Sequence, residues 1–167
     1  MQQVVEKVKR TPIDLRILRK LIPKKCKAAV YTDLDKPRRE VFKGIEGLVV
    51  LIPHKLSEIG HFITLIPRKH HIEYNSSLGG SPDEELDKLH QSHTIMKKLL
   101  GKNYIYNSVN LQSKKYDIKD CASFVLMRLY FRNMKLREYQ QLFSKRITLN
   151  SPDDISSYAT ALLLSDV

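Results

Sequence analysis

Tryptophan is absent from this chain, cysteine is nearly so, and no long apolar run occurs. Two cysteines, Cys26 and Cys121, are too few for a disulfide framework, and the expected setting is a reducing compartment. The longest uninterrupted apolar stretch, Leu48 to Ile52, falls far short of the ~20 residues of a bilayer-spanning helix, so no membrane association is expected. Glu6, Lys7, Lys9 and Arg10 follow close on Met1 and leave no apolar core for a signal peptide. There is no Gly-rich phosphate loop, no Gly-x-Ser-x-Gly elbow, no internal repeat and no domain linker. His90 and His93 lie three apart without an acidic partner at ligand spacing or a nearby cysteine pair, and His70-His71 are adjacent; the expectation is no metal and no cofactor.

What is present is positive charge. Twenty-nine Lys and Arg against eighteen Asp and Glu give +11. Residues 1–27 hold nine of the basic residues against Glu6 and Asp14, a local +7 that leaves only +4 for the other 140 residues. Such a segment reads as a basic helical arm able to bind a polyanion, DNA above all; the plainer reading is a solvated face that aids solubility. With 42% hydrophobic and 28% charged residues, the rest has the composition of one globular domain.

Three helix starts share one chemistry: Thr11-Pro12-Ile13-Asp14, Ser81-Pro82-Asp83-Glu84 and Ser151-Pro152-Asp153-Asp154. In each, a hydroxyl accepts an orphan backbone N–H, proline wastes none, and an acid meets the positive helix end. The first helix should bury Leu15, Leu18 and Leu21 and stop before Pro23. The second should run to Gly101, and the third should bury Ile155, Tyr158, Leu162 and Leu163. Leu48–Ile52, His61–Ile66, Ile72–Tyr74 and Tyr104–Leu111 read as strands. Cys121 to Phe131, apolar except for Ser123 and Arg128, reads as a helix buried in the domain centre, capped by Asp120 and continuing, more basic, to Leu142.

A cysteine in the first turn of a buried helix is a candidate nucleophile, because the helix's positive end and a nearby imidazolium both favour its thiolate. Such a thiol needs a base, a group to orient that base and an oxyanion donor. His61, opening a strand after Gly60, supplies the base. Asn75, at the end of the next strand, would orient it through a side-chain carbonyl. Gln112 would donate to an oxyanion beside the backbone N–H of Cys121.

Gly60-His61-Phe62, then Ile72 to Gly80, then Leu111-Gln112, then Asp120-Cys121-Ala122-Ser123-Phe124-Val125 resemble the adenain-like cysteine proteases. These comprise the adenovirus-type maturation proteases, relatives in large DNA viruses and virophages, and the proteases of ubiquitin-like modifiers. Ala122 stands where that family usually has glycine, and Phe62 where it usually has tryptophan; at the family's acidic position the resemblance places Ser76 without a gap, Asn75 with one inserted residue, or Glu73. The resemblance implies an α+β, permuted papain-like fold: a small mixed sheet against a buried helix starting at Cys121, with outer helices. It implies one domain over 1–167, with 1–27 as arm and 48–131 as catalytic core. It also implies a cysteine endopeptidase whose substrate is a capsid precursor protein, acting in the virion and in host cytoplasm or nucleus. Two other readings stay open: a protease of ubiquitin-like modifiers, and an inactive basic scaffold or nucleic-acid-binding relative.

Overall fold

A computed structural model describes residues 13–112, 120–143 and 151–165, side chains of Tyr158 and Ser165 excepted. Most of the acid-poor start of the basic arm, residues 1–12, therefore lies outside the described residues, as does the expected Thr11-Pro12 cap.

Five strands form one sheet in sequence order: β1 (Cys26–Val30), β2 (Gly47–Pro53), β3 (Gly60–Pro67), β4 (Ile72–Asn75) and β5 (Tyr104–Tyr106). The central pairs β2–β3 and β3–β4 are antiparallel, and the outer pairs β1–β2 and β4–β5 are parallel. Among the described residues a short 3-10 helix (Tyr31–Leu34) and seven α-helices accompany it: α1 (Leu15–Leu21), α2 (Arg38–Val41), α3 (Pro82–Lys88), α4 (Thr94–Leu100), α5 (Cys121–Tyr130), α6 (Leu136–Gln141) and α7 (Pro152–Ser165). The α+β architecture with a mixed sheet against a buried helix is thus observed.

Strand alternation sorts the sheet's side chains into two cores. On one face Leu48, Val50, Ile63, Leu65, Ile72 and Tyr74 meet Leu86, Met96 and Leu99 of α3 and α4. On the other, Val49 and Phe62 meet Leu18 and Leu21 of α1 and Ala122, Val125, Leu126 and Leu129 of α5. Covered on both sides, β2 is apolar without alternation.

Several local expectations are corrected. The N-cap of α1 is Asp14, whose carboxylate accepts from the Ile17 N–H at 2.9 Å. The helix from Ser81 begins with the expected capping box but does not reach Gly101 unbroken. It breaks at His90, whose φ of 55° turns the chain so that Gln91 can donate to the Pro53 carbonyl at 2.6 Å. His90 and His93 therefore do not share a helix face. His90 packs edge-on against His54, while His93 precedes α4 and bridges Asp83 and Asp87 at 3.1 and 2.7 Å. The long expected strand from Tyr104 ends at Tyr106, because Asn107 folds back: its amide donates to the carbonyls of Ser76 and Val109, and its oxygen accepts the Val109 N–H. Strand β1 was hidden among lysines; it begins after a turn at Lys25, whose carbonyl accepts from Glu46 N–H beside β2.

Helix α5 is buried from Ala122 to Leu129, and this includes Arg128. Its guanidinium is fully enclosed, forked onto Glu73 at 2.7 and 2.9 Å, donating to the Phe131 and Met134 carbonyls and lying over the Tyr139 ring. Those two carbonyls come from the turn that separates α5 from α6, so α5 does not continue to Leu142. Helix α7 packs Ile155 and Leu163 against the cores as expected, the Tyr158 side chain lying outside those described, but it turns more of its small polar side chains inward. Leu162 is 43% exposed, whereas Asp153, Ser156, Ser157, Thr160 and Ala161 are buried. Small side chains let α7 lie close to α5 and reach its first turn with hydroxyls.

Candidate active site

His61, Gln112 and Cys121 line one pocket of about 460 Å³ together with Gly60, Phe62, Ala122, Leu78, Ile59 and the Ile13–Leu15 segment. Three chain segments, far apart in sequence, place them. The start of β3 delivers His61, the loop after β5 delivers Gln112, and the start of α5 delivers Cys121. Gly60 is required here, since a Cβ would stand 2.8 Å from Leu51 and 3.1 Å from the Ile52 carbonyl.

Asn75 does not join them. It pairs across the sheet with Thr64 and therefore shares the α5 face of the sheet, while His61, three residues before Thr64, points to the opposite face. The Asn75 amide nitrogen and the Thr64 hydroxyl are both buried without a hydrogen-bond partner. One residue on, the parity reverses: Ser76 Oγ lies 2.9 Å from His61 Nε2. Glu73, the other alternative, is committed to Arg128 and Arg68.

The neighbouring serine holds the glutamine. Ser77 donates its hydroxyl to Gln112 Oε1 at 2.7 Å, and its carbonyl accepts the N–H groups of Leu111 and Gln112. With its oxygen occupied, the Gln112 amide has its NH₂ to offer the pocket. Gly79 locks this turn down. Its φ is +74°, and a Cβ would come within 2.6 Å of backbone atoms of Val109 and Asn110. Asn107, wholly buried, ties the same turn to α6 through Gln140 at 2.8 Å.

Behind the imidazole stands Glu85 of α3, 2% exposed. Its Oε2 lies 3.8 Å from His61 Nε2 and accepts the Tyr74 hydroxyl at 2.6 Å; its Oε1 accepts the Gly80 N–H at 3.2 Å. Burial pushes its carboxyl upward, against hydrogen bonds from Ser76, Tyr74 and Gly80. A Cβ on Gly80 would meet the Glu85 side chain at 2.8 Å, which explains the second glycine of the pair.

The electrostatics differ from the sequence expectation of a ready-formed thiolate and imidazolium. Burial pushes the Cys121 thiol up, aided by the Asp120 charge and opposed by backbone N–H groups of Phe62, Ala122 and Cys121 itself. Burial also lowers the His61 pKa to about 4. At neutral pH the resting pair is thiol and neutral imidazole. Asp120 does not cap α5 with its side chain; it accepts instead from Ser156 and Ser157 at 2.6 and 2.7 Å, and burial raises its pKa to about 6. Ser76, Ser77, Glu85 and Asn107 were not singled out as a constellation by sequence reasoning. The parity of β4 against His61 was the available signal for Ser76.

No family model matches this sequence. Uncharacterized protein V9 of the Sputnik virophage is 25% identical over 151 residues, 83% of this chain and 81% of that protein. Among solved structures, the C-terminal Ulp1 protease domain in complex with Smt3, the yeast ortholog of SUMO, has a TM-score of 0.52 at 14% identity. The match covers 98% of this chain and 82% of that one. The fold is that of the Ulp1 protease domain. At this identity the Ulp1 likeness is one of architecture, and the residues of the pocket carry the chemistry.

Proposed function

We propose that the protein is a cysteine endopeptidase acting on a protein substrate. The observation that carries this reading is the convergence of Cys121, His61 and Gln112 on one pocket within a Ulp1-type fold. His61 Nε2 is occupied by Ser76, which leaves Nδ1 as the basic nitrogen. As the Cys121 sulfur attacks the scissile carbonyl carbon, Nδ1 takes the thiol proton. The oxyanion gathers the backbone N–H of Cys121 and the Gln112 amide. His61 then gives its proton to the leaving amine, and water, deprotonated by the same nitrogen, hydrolyses the thioester. Because burial favours the neutral pair, proton transfer accompanies attack rather than preceding it. Ile13, Leu15, Ile59 and Leu78 give the pocket apolar walls for residues flanking the scissile bond.

The substrate we favour is a capsid or virion precursor, for which the support is the virophage relative and the resemblance to adenovirus-type proteases. DNA would then be a second partner through the +7 of residues 1–27, with binding that weakens steeply as salt rises. The Ulp1 neighbour, solved with a SUMO ortholog, supports a second reading as a protease of ubiquitin-like modifiers. Co-expression with a candidate capsid precursor, with and without Cys121→Ala, tests the first; incubation with modifier conjugates tests the second. Product masses that shift only with intact Cys121 support a protease. Full cleavage by Cys121→Ala overturns it.

A further inference from the structure

We infer that Glu85 is the acid of this site, positioning and polarising His61 through the Ser76 hydroxyl. The inference rests on the peptidase reading above and assigns the part of the machinery that reading leaves open.

Ser76 Oγ has one hydrogen and two lone pairs, and the structure shows two of its contacts. The Leu78 N–H donates to it at 3.2 Å, and His61 Nε2 lies at 2.9 Å. On this inference its own hydrogen goes to the Glu85 carboxylate, whose Oε2 lies 3.8 Å from the same His61 Nε2. With its proton directed to Glu85, Ser76 would accept from His61 across their 2.9 Å contact, and the imidazole would carry its proton on Nε2. The reactive lone pair is thereby held on Nδ1. Neutral donors favour the Glu85 anion against the burial that pushes its carboxyl upward. Tyr74 donates to it at 2.6 Å, a length typical of a hydroxyl on an ionised acceptor, and Gly80 N–H donates to its other oxygen. No arginine or lysine pairs with it among the described residues; the titratable group within 4 Å is His61, 3.8 Å away. When His61 gains a proton during attack, the charge that forms has this buried carboxylate as its neighbour. Tyr74, Gly80 and Glu85 are otherwise hard to explain as packing, because an apolar side chain on α3 would fill the same space without burying a carboxylate.

Two measurements test this, both with full-length chain. The first uses a glycine-terminated peptide vinyl sulfone and separates kinact from KI for alkylation at Cys121. Positioned proton-transfer groups contribute ~10²–10⁴-fold, so a group acting one hydroxyl away should contribute at least about tenfold. Glu85→Gln and Ser76→Ala should each lower kinact by that much with KI unchanged, and Ser76→Asp placed in the Glu85→Gln background should recover it by restoring a carboxylate at the imidazole. The second is the ¹⁵N spectrum of His61 without any ligand: the Nε2–H tautomer should dominate in the wild type and become mixed in Glu85→Gln. Unchanged kinact and an unchanged tautomer in Glu85→Gln overturn the inference while leaving the peptidase reading intact. A wild type whose Cys121 ignores the probe overturns both. A variant too unstable to label is replaced by Glu85→Asp, which should keep the Nε2–H tautomer; loss of that tautomer with the carboxylate retained and seated would also count against it.

Discussion

Two buried glutamates flank strand β4, and they are wired in opposite ways. Glu73, 1% exposed, is clamped by Arg128 and Arg68. Glu85, 2% exposed, accepts from the Tyr74 hydroxyl and the Gly80 N–H, and among the described residues only a histidine lies within ion-pair distance. The first charge is cancelled where it sits and ties β4 to α5 and the turn after it. The second is left uncancelled beside a group that would become positive during the reaction. A buried charge paired with a fixed cation reads as structure; one held by neutral donors against a titratable ring reads as function.

The comparison is broken most forcefully at Glu73. Removing one partner of a buried pair typically costs about 3–5 kcal/mol, so Glu73→Ala should lose that much stability in urea denaturation by stranding Arg128. Probe reactivity of the folded fraction should stay unchanged. A variant that unfolds normally yet no longer labels would assign Glu73 to the chemistry instead.

Gln112→Ala sharpens the other side. Loss of one oxyanion donor costs about 10²–10³ in rate, roughly 2.7–4 kcal/mol of barrier, and should leave stability nearly intact since Gln112 is half-buried at the pocket. Cleavage assays on a Cys121-dependent substrate read this out; undiminished turnover would remove Gln112 from the oxyanion site.

A smaller effect lies in pH. His61 falls to about 4 in the fold from an ordinary 6.5, so the unfolded chain binds more protons between those values and stability rises with pH there. Asp120 rises to about 6 from 3.8, so the folded chain binds more protons and stability falls with pH over nearly the same window. The two nearly cancel. Asp120→Asn should uncover a stability that rises from pH 4 to 6.5, and His61→Ala one that falls from pH 4 to 6. Denaturation midpoints across that range check both signs.

The smallest effect belongs to Asn75. Its amide makes no hydrogen bond and faces away from His61, so Asn75→Ala should leave probe reactivity at the wild-type rate. Loss on the scale expected for Ser76→Ala would restore Asn75 as the residue orienting His61.

Much of the architecture was legible where signals are local. The capping boxes at Ser81 and Ser151, the apolar runs of β2 and β3 and the enclosed helix from Cys121 all depend on neighbours within a few residues. Strand β1 was not legible, because its lysines resemble a solvated face and only pairing with Gly47–Leu51 makes it a strand. In the candidate site, type and order single out His61, Gln112 and Cys121, which line one pocket. Ser76 was visible as an alternative, but the choice needed the register of Asn75 against Thr64, a property of two strands rather than one. Glu85 was beyond reach in sequence, since it approaches His61 from a helix whose capping motif gives every reason to count it as an ordinary first-turn acid. The buried Arg128 was likewise read as polar, for its partner lies 55 residues away.

The central claim is that the Cys121 sulfur is a nucleophile made reactive by His61, and intact-mass mapping after exposure to the glycine-terminated peptide vinyl sulfone tests it directly. The account predicts a single adduct, at Cys121 and not at Cys26, lost in His61→Ala and lost on denaturation. Equal labelling of both cysteines, or an adduct at Cys121 that forms as fast without the imidazole as with it, would contradict it.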